Sequence, residues 1–142
     1  MHYRNGVHPR SQLKSRGLKD TLTRRAVLRT LEKAKRPLTP GDIRRLLHKQ
    51  DHPIGIVTVY RVLRALTEAG LAHEHFNGEE FSCCRIPEVS GHHILLRCIS
   101  CGTVRESHDR ELCKRENAIA RRAGFQSAIH TGELLGTCSQ CT

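Results

Sequence analysis

G-I-V-T-V-Y-R-V-L-R-A-L-T-E-A-G-L, residues 55–71, is the stretch whose reading decides the fold. Val59, Val62, Leu63 and Leu66 stand at 0, +3, +4 and +7, the period of one helical face, so a helix is expected from about Ile56 to Ala69. Gly70 follows where a helix end favours a residue without a Cβ. The other face shows Thr58, Tyr60, Arg61 and Arg64. Arginine suits guanine edges and phosphates, while threonine and tyrosine reach phosphates or thymine methyls.

Two further helices are expected upstream. Val27, Leu31 and Ala34 recur at i, i+4 and i+7 over about Thr23–Lys35, and Pro37 ends that element. Thr39, Pro40 and Asp42 form an N-cap, a first-turn proline and an acidic capping box, with Ile43, Leu46 and Leu47 as the apolar face behind them. A short helix within 11–17 would carry Lys14. Downstream, 71–76 and 79–84 read as strands around Asn77-Gly78, the dipeptide of a two-residue type I′ hairpin. Three helices and a hairpin make a winged helix-turn-helix whose third helix enters the major groove.

The charge follows the same division. Residues 1–72 hold 16 Lys/Arg against 5 Asp/Glu, and residues 73–142 hold 8 against 9. A basic half of this kind attracts a polyanion, double-stranded DNA first among them. At 4% aromatic content, a stacking-based single-strand or RNA binder is disfavoured. No run of 18 apolar residues occurs, which points away from a membrane partner. Cysteine in C-x-x-C pairs fits a reducing, cytoplasmic setting better than a disulfide framework.

The second half is rich in ligands. All seven cysteines and six of the ten histidines lie beyond residue 72. Cys98 and Cys101, then Cys138 and Cys141, each have the spacing that lets two thiolates of one turn grip one ion, and two such pairs complete a tetrahedral zinc site. The 36 residues between the pairs must fold as a substructure, here read as short strands around a helix over Asp109–Ala123. Exposed sheet edges in such a unit are places for two copies to join. His73, His75, Cys83, Cys84, His92, His93, Glu106, His108, Cys113 and His130 remain as candidate ligands for a second metal of borderline character. His73 and Cys84 fall on opposite strands of one hairpin, and His92 and Glu106 flank the first C-x-x-C. A zinc deaminase would need H-x-E with P-C-x-x-C; neither pair follows a proline and His73-Glu74-His75 has the wrong order, so no enzyme and no small-molecule substrate are expected.

The expected class is α+β. An arm occupies 1–10, the winged helix-turn-helix 11–84, a hinge about 85–91, and a small α/β dimerisation and metal-binding domain 92–142. L-K-S-R-G-L-K-D-T-L-T-R (13–24), P-L-T-P-G-D-I (37–43), T-V-Y-R-V-L-R-A-L-T-E-A-G-L (58–71), G-H-H (91–93), C-I-S-C-G (98–102) and C-S-Q-C (138–141) together resemble the ferric uptake regulator family. The resemblance implies a homodimeric, metal-responsive repressor. In it Tyr60 and Arg61 would meet operator DNA and Lys14 would reach toward the minor groove.

The set His73, Cys84, His92 and Glu106 resembles the regulatory site of the zinc uptake branch, which implies one regulatory zinc beside the structural one in each chain. Iron-sensing members often carry a histidine where Arg36-Pro37 stands, and read H-H-D-H where this chain has His92-His93-Ile94-Leu95. The resemblance also leaves a further site involving His93 and His130, and the choice between Cys83 and Cys84, open. The alternative on this scaffold is a regulator answering to iron, nickel, manganese or peroxide.

Overall fold

The structure, a computed structural model, describes residues 9–89, 92–126 and 132–142. It divides into two compact units, one reaching to Arg85 and one from Ile86 to Thr142. Most of the arm expected at 1–10 lies outside the described residues, as does His130.

In the first unit α1 (Pro9–Ser15), α2 (Leu22–Lys33), α3 (Pro40–Lys49) and α4 (Ile56–Glu68) precede a hairpin of β1 (Ala72–Glu74) and β2 (Phe81–Cys83). Each of the three longer helices buries the stripe its sequence marks: Val27, Leu28 and Leu31 of α2, Ile43 and Leu47 of α3, and Val59, Val62, Leu63 and Leu66 of α4 form one core with Leu13, Leu71 and Phe81. The capping box at α3 is present, Thr39 Oγ1 accepting from the Asp42 N–H and the Asp42 carboxylate accepting from the Thr39 N–H. Gly70, at φ +75°, lets the Leu71 N–H reach back to the Leu66 carbonyl and closes α4. Asp51, at φ 56°, does the same for α3: its N–H bonds the His48 carbonyl and the His52 N–H the Leu47 carbonyl.

The hairpin departs from the sequence expectation. Its register pairs Glu74 with Phe81, and the His75 N–H bonds the Glu80 carbonyl, so four residues (76–79) form the loop rather than Asn77-Gly78 alone. The cause is the Asn77 side chain, whose Oδ1 accepts from the Glu79 and Glu80 N–H groups at 3.0 and 3.3 Å. That local bonding favours a turn over His75–Gly78 with Gly78 at φ +71°. Leu38 bonds Phe81 through both its N–H and its carbonyl, adding a third segment to the hairpin.

The second unit holds β3 (His93–Cys98), β4 (Val104–His108), α5 (Arg110–Arg122) and β5 (Gly132–Gly136), in sheet order β4-β3-β5. β4 returns antiparallel to β3 through the first C-x-x-C; β5, reached by way of α5, lies parallel to β3 on its other side. Asp109 caps α5 by accepting from Glu111 and Leu112 N–H groups. None of the α5 residues is buried, and Ile119, Phe125, Leu134 and Leu135 are all exposed.

Candidate metal centres and nucleic-acid face

The parallel pairing of β3 and β5 explains how two distant cysteine pairs meet. Cys98 is in register with Gly136, so the chain leaving β5 delivers Cys138 to the same end of the sheet. The Ile99 N–H bonds the Gly136 carbonyl at 2.8 Å and fixes that end. All four sulfurs of Cys98, Cys101, Cys138 and Cys141 lie within 4.8 Å of one another. The Cys101 and Cys138 sulfurs are 3.8 Å apart. That is about the edge of a tetrahedron with zinc–sulfur bonds of roughly 2.3 Å, so the group fits zinc.

The electrostatics agree with the geometry. Backbone N–H groups of Cys101 and Cys138 aim at Cys98 Sγ and pull its thiol down to about 6, which favours the thiolate ligand form. Cys141, which shares a proton with Cys138 and then Cys101, is pushed up to about 12. Four neighbouring sulfurs cannot all ionise without a cation among them, and a divalent ion supplies that charge.

In the first unit the hairpin presents a second pair of donors. His73 pairs in register with Ser82, and Cys84 follows β2 with its N–H on the Leu71 carbonyl at 2.9 Å. The His73 and Cys84 ligand atoms lie within 4.8 Å of each other. Successive strand residues face opposite sides. Cys83, opposite Ala72, therefore enters the hydrophobic core, and Cys84 shares the side of His73.

In the second unit Glu106 stands opposite Leu95, and on that face its neighbour is His93. The sequence reading puts His92 beside Glu106; the structure puts His93 there, because adjacent residues point to opposite sides. His93 Nδ1 is 2.7 Å from Glu106 Oε2, both side chains being buried. Its Nε2 is 2.7 Å from the Val89 carbonyl, which only accepts, so Nε2 carries the proton. Nδ1 is then the ring nitrogen that faces the carboxylate oxygen. The carbonyl thus fixes the tautomer, as an outer partner does for a metal-bound histidine.

His92, 3% exposed, instead sets Nδ1 at 2.5 Å from Glu116 Oε2 of α5. Its carbonyl receives a long 3.9 Å contact from Cys113 Sγ. Nothing in the sequence marks Glu116, which lies among mixed charges in α5 with no ligand spacing.

The outward face of α4 is the candidate nucleic-acid surface. Thr58, Tyr60, Arg61 and Arg64 are all exposed, and Arg64 pairs with Glu68 at 3.2 Å one turn on. Lys14, in α1, is exposed as well.

The ferric uptake regulator family profile matches residues 15–134. The chain belongs to that family. The ferric uptake regulation protein of Legionella pneumophila is 37% identical over 131 residues, covering 92% of this chain and 96% of its own length. The crystal structure of holo XcZur, at 28% identity, covers 93% of this chain and 92% of its own with a TM-score of 0.83. A zinc uptake regulator solved with zinc and DNA has a TM-score of 0.84 over 92% of this chain and 88% of its own, at 23% identity, which speaks for the fold alone. In this ferric uptake regulator family member the fold is the mixed helix and sheet of those structures, with a cysteine cluster able to hold a structural zinc. Family members are metal-responsive transcription regulators rather than enzymes.

Proposed function

We propose that the chain is a zinc-responsive transcriptional repressor that binds operator DNA as a homodimer and controls zinc uptake genes from the cytoplasm. Each chain would hold two ions. One, held by Cys98, Cys101, Cys138 and Cys141, stabilises the second unit. The other is regulatory, with His73, Cys84, His93 and Glu106 as its donors. The observation that carries the zinc reading is the donor set: a hairpin that presents a cysteine sulfur beside an imidazole, and a second histidine whose Nδ1 lies 2.7 Å from a buried carboxylate. A cysteine with nitrogen and oxygen donors suits zinc better than the harder manganese. The likeness to holo XcZur supports the same branch.

Filling the regulatory set would favour the DNA-competent state of the chain. Only a small share of arrangements lets two α4 helices meet successive major grooves, so filling the set raises apparent operator affinity. Thr58, Tyr60, Arg61 and Arg64 would contact the duplex, with Lys14 adding a minor-groove contact. The uncovered apolar residues of α5 and β5 fit a second copy of the chain.

A titration of duplex binding against buffered zinc tests the reading. Wild type is expected to bind only above a threshold, and Cys84→Ala and His93→Ala to lose that response while keeping the structural ion. Equal binding by those variants at every zinc level would overturn it. The second reading, an iron regulator on the same scaffold, is favoured by the name of the Legionella relative. Competition in buffers of zinc, iron and manganese separates the two.

A further inference from the structure

The face of α4 that looks away from the core carries more than arginines. Val59, Val62, Leu63 and Leu66 are buried, and the positions opposite them are Val57, Arg61, Arg64 and Glu68. Val57 is therefore centred on the outward face in the first turn, one turn ahead of Arg61 and two ahead of Arg64. It is 60% exposed, and Ile56 and Tyr60 beside it are 38% and 55% exposed. A single apolar residue on a surface is ordinary. Here three adjoin, a β-branched one sits where a helix gains neither propensity nor burial from it, and the same face continues into two guanidinium groups.

An apolar centre followed by arginines matches one feature of duplex DNA. In the major groove thymine alone offers an apolar group, its C5-methyl, while guanine offers the acceptor pair that arginine reads. First-turn residues of a recognition helix are the ones that reach base edges.

We propose that Val57 is a specificity-determining residue that packs its two γ-methyl groups on the C5-methyl of a thymine near the base met by Arg61. The assignment rests on the reading of α4 as the groove-entering helix and adds to it the base that the first turn selects. Thr58, on the flank of the helix, is left to the phosphates. A thymine preference fixed by Val57 would hold for every operator this chain occupies.

The test uses the full-length zinc-loaded protein and a duplex selected by it from a randomised pool. Thymines of that duplex are then replaced one at a time by deoxyuridine, which removes the C5-methyl and nothing else. For wild type, one replacement in each half-site is expected to weaken binding about fourfold, the worth of one methyl-sized group kept from water. Val57→Ala should bind thymine and deoxyuridine equally at that place, with its zinc content unchanged and its melting temperature no lower than that of wild type, and Val57→Ser should likewise bind the two equally. If Val57→Ala keeps the full penalty at every position, or wild type shows none, the assignment to Val57 is wrong while the groove-entering role of α4 stands. If no duplex is selected at any zinc level, the role of α4 falls and the assignment with it.

Discussion

Asp51 occupies a backbone conformation that suits glycine, and it does so at the turn between α3 and α4. Among the described residues it alone, glycines aside, has a positive φ. Its carboxylate also stands at the negative end of α3. Asp51→Gly is expected to raise stability by about 1 kcal/mol, measured by urea unfolding. Glu32 makes a prediction of opposite chemistry. Burial pushes its carboxyl up, against the pull of Arg85 and Arg29. A raised folded-state pKa means that the folded protein binds the proton more readily, so this contribution favours folding in acid and is lost as pH rises through the raised value. Glu32→Gln should therefore raise the melting temperature at neutral pH, and the gain should shrink as the pH falls toward about 4. A residue-scale contrast also separates the two neighbouring histidines: His93→Ala should abolish the zinc response of DNA binding, whereas His92→Ala should leave a response that remains measurable by the same titration.

At the scale of elements, Arg85 ties the end of the first unit to α2. Its guanidinium donates to the Glu32 carbonyl at 2.9 Å and the Ala34 carbonyl at 3.3 Å, satisfying acceptors that the helix end leaves open. Arg85→Ala should cost about 1 kcal/mol of unfolding stability, and Arg85→Lys should recover only part of it, since an ammonium lacks the fork that spans two carbonyls. The second unit depends in the same way on where β5 ends. With Cys138 brought beside Cys98 by the parallel register, Cys141→Ser should release the structural ion and expose the β3–β5 pairing to amide exchange, read by metal content and hydrogen exchange.

For the whole molecule, Leu134 and Leu135 of β5 are exposed and no α5 residue is buried among the described residues. Leu135→Lys should shift the protein toward the monomer in sedimentation and weaken operator binding with it. Mild chelation should remove the regulatory ion first, because a site lined partly by a histidine and a carboxylate holds zinc less firmly than four thiolates do. Promoter occupancy should fall at that stage, with secondary structure unchanged by circular dichroism.

Much of this was written in local signals. The stripe over Val59–Leu66, the capping box at Thr39–Asp42 and the paired C-x-x-C motifs each depend on residues only a few positions apart, where period, capping and ligand spacing decide the outcome. At Asn77 two local signals compete: its side chain widens a turn that its dipeptide predicts to be tight, by bonding the N–H groups two and three residues on. Tertiary structure decided what no local window contains. The partner of Glu106 turned on strand phase: His92 and His93 are indistinguishable by composition, and the register of β3 on β4 gave that side of the sheet to His93. The same register logic sent Cys83 to the core and Cys84 to the side of His73, since alternating side chains can face only one way once a strand has found its neighbour.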